Sequence, residues 1–190
     1  MADDTQVRVG VEGAFYVAPV GTTAPTDPYS AWPAGWIDLG NANEDGLTEA
    51  LNESRLEIKA WGRSGAVRTQ VTDRASTFKI IFEETSAWTL ALYYGVDLAD
   101  MTSSGTGAAQ FLAFNEPQAP EPMYYAIGMD VIDDDKPMRI IVARAEVTEK
   151  GDRTYKSDTN QAFELTFSSL TAPNGGSSIS RMFGMVSLPS

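Results

Sequence analysis

Neither cysteine nor histidine occurs anywhere in the 190 residues. Without cysteine there is no disulfide, no thiolate nucleophile and no sulfur-ligated metal. Without histidine the commonest general base and the commonest metal ligand are both missing. Serine-histidine-aspartate, cysteine-histidine and zinc-protease machinery are thereby excluded. Only carboxylate or lysine chemistry survives, and an enzyme is not expected. Positive charge is also scarce: 14 Lys and Arg stand against 26 Asp and Glu, a formal net charge of −12. That balance argues against a nucleic-acid binder, because an acidic surface repels phosphate. No apolar run approaches the roughly 20 residues that span a bilayer. The opening Met1-Ala2-Asp3-Asp4 is acidic and lacks an apolar stretch. No signal peptide is therefore expected, and no membrane crossing.

What is present suits one globular domain with a core: 43% of residues are hydrophobic and 21% charged. The charge is unevenly spread. Residues 53–79 hold Arg55, Lys59, Arg63, Arg68, Arg74 and Lys79 against Glu53, Glu57 and Asp73, while the rest of the chain has eight basic and 23 acidic residues. One reading is a chance cluster on a solvated face. The other is a basic patch that docks on the acidic surface of an identical copy, a heterologous contact that builds rings or filaments.

Strand signals dominate. Val7, Val9 and Val11, then Phe15 and Val17, predict one long or bulged strand, with Gly10 and Gly13 as bulge points. The Pro-, Gly- and Thr-rich run that follows is a loop, and "WIDLG" a short strand. Leu56, Ile58 and Ala60 alternate with Arg55, Glu57 and Lys59. Val67, Thr69 and Val71 alternate likewise, as do Phe78, Ile80 and Phe82. These predict half-buried strands, with a turn at Thr72, Asp73, Arg74 and Ala75. Glu83, Glu84, Thr85 and Ser86 before "AWTLALYYG" predict a short buried helix, its N-terminus favoured by the carboxylates and its stop set by Gly95. "DMTSSGTGAAQ" is a loop; "FLAFN" and "PMYYAIGMDVI" are strands. In "MRIIVARAEVTE", Ile141, Ala143, Ala145 and Val147 are expected on one face, and Ile140 and Val142 on the other. "AFELTFSS" turns Phe163, Leu165 and Phe167 inward, and the Gly- and Ser-rich end reads as an arm. The fold class is mainly β, a β-sandwich or open barrel with one short flanking helix.

Few residues carry chemistry. Asp133, Asp134 and Asp135 could bind a hard cation, but they lack spaced ligands, a central Gly and a distal Glu, and read as a solvated turn. Glu83 and Glu84 could be a catalytic pair, yet a helix N-terminus explains them. "SSGTGAA" and "PNGGSS" lack the ending of a phosphate loop. Trp32, Trp36, Trp61 and Trp88 could form a sugar-binding platform; Trp88 reads as core, and Trp61, on a charged face, suits a protein interface.

The phrases "GAFYVAPVGTTAP", "WIDLGNANEDGLTEA", "EIKAWGRSGAVRTQVTDRASTFKIIFEET" and "LALYYG" resemble the major tail, or tail tube, proteins of long-tailed siphovirus-like phages, especially those of actinobacterial hosts. The likeness runs from about Gly13 to Gly95. It implies a single tail-tube domain over 1–190, with an N-terminal arm at 1–12, an inter-ring loop at about 47–75 and a C-terminal arm at 171–190. It implies six copies per ring, rings stacked into a hollow tube, and inner strands joined into one continuous barrel. The partners it implies are further copies of the chain, the tape measure protein, tail terminator and tail-tip proteins, and genomic DNA passing through the lumen without sequence-specific binding. The place would be the virion tail, assembled in the host cytoplasm. The basic segment then becomes an inter-subunit contact through Arg55, Lys59, Trp61, Arg63, Arg68 and Arg74. Glu146 and Glu164 are expected to face the lumen, where carboxylates would repel DNA phosphates. The rival readings are another virion β-domain, such as a capsid decoration or tail-tip protein, and a soluble carbohydrate-binding β-sandwich.

Overall fold

The computed structural model describes residues 7–158 and 160–186. Of the two expected arms, 1–6 and 187–190 lie outside the described residues. In chain order the elements are β1 (Glu12–Pro19), β2 (Ile37–Asp38), β3 (Thr48–Lys59), β4 (Ala66–Phe82), α1 (Ala87–Tyr94), β5 (Thr102–Ser104), β6 (Phe111–Ala113), β7 (Tyr125–Ile132), β8 (Met138–Lys150), β9 (Phe163–Ser169) and β10 (Ile179–Phe183). The main sheet runs β2-β1-β7-β8-β9-β4-β3, with β10 also paired to β8. All its pairings are antiparallel.

The sheet curls until its halves meet. Phe15 on β1 packs against Phe82 of β4 and Phe167 of β9, with ring centroids 5.4 and 5.1 Å apart. The segment 39–43 stitches the gap: Leu39 N–H donates to the Phe15 carbonyl (2.9 Å), Asn43 N–H donates to that of Ile81 (2.9 Å), and Ala42 bridges Phe82. Inside lie Ile127, Met129, Ile140, Val142, Phe163, Leu165 and Phe78, with Leu92 of α1. The inward alternation of Phe163, Leu165 and Phe167 is as expected. Helix α1 has the expected caps. Ser86 Oγ accepts from Thr89 N–H (3.1 Å), and Gly95, at φ 68°, donates to the Ala91 carbonyl. A hydroxyl cap of this kind is worth about 1 kcal/mol. No acidic residue stands in the first turn; Glu84 Oε1 instead accepts from Asn41 N–H (2.9 Å), tying down the stitching segment.

The outer face of β1, β7 and β8 is covered by the loop at 20–36. Trp32 and Trp36 pack there on Ala18, Ala126 and Ile141. Arg139, 3% exposed, anchors this loop. Its guanidinium donates two bonds to the Asp130 carboxylate (2.6 and 2.8 Å) and one each to the carbonyls of Asp27 and Ser30 (3.0 and 2.8 Å). It also lies 4.5 Å from the Trp32 ring centroid, and Trp32 Nε1 donates to Asp130 (2.7 Å). A side chain at Gly128 would collide with the Trp32 ring, so only glycine lets the indole lie flat on β7.

Several elements differ from expectation. Among the described residues no strand precedes Glu12, and Val7, Val9 and Val11 are exposed. Residue 9 is held instead by its N–H donating to Asp133 Oδ2 (3.0 Å), and Arg8 donates to the carbonyls of Lys136 and Gly184. Gly13 marks no bulge, since the β1–β7 register is unbroken, and Gly10 lies before β1 begins. There is no turn at 72–75: β4 continues as a strand, with Asp73, Arg74 and Ala75 paired to β3 and Thr72 left over as a bulge. The true reversal is at 60–65. In β8 a bulge falls between Val142 and Ala145, so Ala145 and Val147 join Ile140 and Val142 inside while Ile141 faces out. Part of the expected loop at 100–110 is β5, which pairs with β6 inside the expected strand "FLAFN", and part of the expected C-terminal arm is β10.

Candidate functional site: an extended hairpin

Beyond the pairing of Thr77 with Ser168, β4 leaves the body with only β3 beside it. Residues 66–74 alone reach about 30 Å at roughly 3.3 Å per residue. Every residue of β3 and the first nine of β4 are exposed, so the expected half-buried strands are a free two-stranded ribbon. A ribbon has no core of its own and is marginal in water without a further surface to lie on. It also ends the sheet, presenting twelve residues of unpaired edge. Bulges beside Ser54/Arg55 and Ile58/Lys59 kink it and increase its twist.

The hairpin carries all six residues expected at an interface, though not on one face. Arg55 and Lys59 share a face with Glu53, and Arg55 Nε donates to Glu53 Oε1 (2.7 Å). Arg74 is the cross-strand partner of Glu53 on that face. Arg68 lies on the other face, opposite Ile58 and near Leu56. Trp61 and Arg63 form the tip, where Gly62 at φ 78° makes the turn. Trp61 is 104% exposed, the most exposed large apolar residue described. Leu51, Leu56, Ile58, Val67 and Val71 are exposed with it. Exposed apolar surface interleaved with arginine is the composition that protein-contact surfaces share in general. The other tryptophans are committed to packing: Trp32 and Trp36 to the loop, Trp88 to Tyr125. No sugar platform of several exposed tryptophans forms among the described residues.

Glu146 and Glu164 share the outward side of β8, β9 and β4, and Glu146 also lines a cavity beside α1. Glu164 is bonded to Lys79 Nζ (2.8 Å). The Glu164 carboxylate, and behind it Glu149 and Asp45, hold the Lys79 amine above its ordinary value. Glu149 thus belongs to the same acidic face, and sequence alternation missed it because a bulge at Thr148 shifts its register. Asp133, Asp134 and Asp135 form a tight turn, with Asp134 at φ 50°. Among the described residues no group of three or more metal-ligating side chains is arranged to hold an ion. No helix of the described residues is long and apolar enough to cross a membrane.

Against known proteins, the model of the phage tail tube protein family matches residues 1–180. No curated protein matches the chain by sequence. Among solved structures, a chain of the six-fold symmetrised cryo-EM structure of the anti-feeding prophage (AFP) baseplate is similar over 96% of this chain and 97% of that one, at 11% identity and a TM-score of 0.46.

Proposed function

From the premise that this chain belongs to the phage tail tube protein family and is a structural subunit of the virion tail, we propose that the β3–β4 hairpin, within the segment 47–75, is its assembly device. The observation that carries this reading is the ribbon itself: fully exposed, apolar and basic by turns, and ending in Trp61. In an isolated subunit it is an unprotected edge; in a tube it is covered. Subunits join side by side through sheet edges into six-membered rings whose inner strands form a continuous barrel. Rings stack through the hairpin. The terminal segments 1–12 and 171–190 bridge neighbours. The body carries no catalysis, and its work is to form a conduit, first around the tape measure protein and then for DNA. Tail terminator and tail-tip proteins close its ends, and assembly takes place in the host cytoplasm. The face bearing Glu146, Glu149 and Glu164 lines the lumen, where carboxylates keep DNA phosphates from adhering.

Negative-stain electron microscopy of the purified protein over a concentration series tests the reading, alongside a variant in which residues 52–74 are replaced by a short turn. Hollow tubes or six-fold rings from the native chain, and monomers from the variant, are expected. Monomers from the native chain at every concentration, with a tail-tip initiator present, would overturn it.

A further inference from the structure

Resting on the tube reading, we propose that the hairpin tip of one copy is received by a groove beside the C-terminal end of α1 on a second copy. This groove lies between α1, with the 3₁₀ turn Leu98–Asp100 that follows, and the segment 115–123. Its volume is about 640 Å³, within the range of preformed binding pockets. Pro117, Pro120 and Met123 supply apolar wall; Asp97, Asp100 and Glu121 supply three carboxylates. None of the three acids forms an ion pair among the described residues. A second cavity of about 290 Å³ continues it along β8, where Lys150 is the one cation in its lining.

The tip has the opposite character. Trp61 stands free, and Lys59, Arg63 and Arg68 form no ion pair among the described residues. Tryptophan and arginine are the commonest anchors at protein interfaces, and they act by filling pockets. Proline fixes its own φ, so a proline-lined wall is shaped before the indole arrives. Asp97 also accepts the Ala99 N–H (2.9 Å), and a guanidinium held over these three carboxylates, none with a cationic partner, supplies orientation.

The subunit's own tip cannot fill this groove. The tip adjoins the Ala66 end of β4, whereas α1 follows the Phe82 end and packs Tyr93 on Phe163, the partner of Phe82. The two ends of this strand are about 50 Å apart. Donor and acceptor therefore sit at opposite ends of one strand, and their union is head-to-tail. A contact of that kind repeats without closing on itself along the axis, as a tube requires.

The native chain has no cysteine, so introduced thiols report without background. In Arg63→Cys/Glu121→Cys, mild oxidation of assembled material should give a ladder of covalent multimers, absent for either single change. Independently, Arg63→Glu should raise the concentration needed for tubes at least tenfold, and adding Glu121→Arg and Asp100→Arg should restore it. Tubes that form normally yet give no ladder, with a reversal that the acceptor changes do not rescue, would place the tip elsewhere and leave the tube reading standing. Where the double-cysteine variant fails to assemble, the charge reversal decides alone. A native chain that forms no tubes would remove both readings together.

Discussion

Removing the indole at the hairpin tip should separate assembly from folding. Trp61 is wholly exposed in the subunit, so Trp61→Ala removes no packing from the monomer. Surface changes of that kind stay within about 0.5 kcal/mol of native stability. Tryptophans that anchor interfaces cost roughly 2–4 kcal/mol when truncated. At 1.4 kcal/mol per factor of ten, that corresponds to a rise of about 30- to 1000-fold in the concentration at which tubes appear. Sedimentation of tubes from monomer across a dilution series reads this directly. Urea denaturation of the same variant, at a concentration below assembly, reads the folding side. Trp61→Phe should recover part of the assembly because it keeps an aromatic filler. Tubes from Trp61→Ala at a concentration within threefold of native would show that the tip is not a contact. A stability loss above about 1 kcal/mol would show that Trp61 packs on its own subunit, contrary to its full exposure.

Other consequences divide between the fold and the conduit. Arg139→Ala leaves the Asp130 carboxylate facing only Trp32 and frees the loop at 20–36; it should cost about 3–5 kcal/mol and lower the melting temperature by on the order of 10 °C in calorimetry. A loss below 1 kcal/mol would mean that water replaces the guanidinium without penalty. Glu146→Lys, Glu149→Lys and Glu164→Lys together should slow DNA ejection from assembled phage, and unchanged ejection would refute the lubricating role. Burial raises the hydroxyl pKa of Tyr16, Tyr93, Tyr94 and Tyr125 above the ordinary 10 or so. Burial favours the neutral phenol, so this contribution to stability is complete below pH 10 and is lost as pH climbs through the raised values. Absorbance titration should show part of the tyrosine signal ionising only on alkaline unfolding.

The strands were readable because half of each faces a core. Phe163, Leu165 and Phe167, or Phe78, Ile80 and Phe82, can alternate only if one side is dry. The same signal misled in the hairpin. Leu56 and Ile58 alternate with Arg55, Glu57 and Lys59 as a half-buried strand would, yet both faces of the subunit's ribbon meet solvent. Alternation records a surface to be covered and is silent on whether the cover is this chain or another. Thr72-Asp73-Arg74 has turn-like chemistry, but the partner strand β3 reduces it to a bulge at Thr72. Gly62 and Gly65 were the better turn signal.

Sequence alone determined the class of molecule: a cysteine- and histidine-free acidic β-protein, poor in catalytic means, with its positive charge gathered in one segment beside Trp61. These follow from composition and from local periodicity, which need no knowledge of distant contacts. Tertiary structure decided which side of each strand is inside. The β8 bulge, which turns Ala145 and Val147 inward, exists because that strand meets β7 along one edge and both β10 and β9 along the other. It also decided that the basic segment leaves the body, and that the groove beside α1 lies at the far end of β4 from Trp61. Such placements depend on which separate strands pair and in what register, which the periodicity within any one strand does not record.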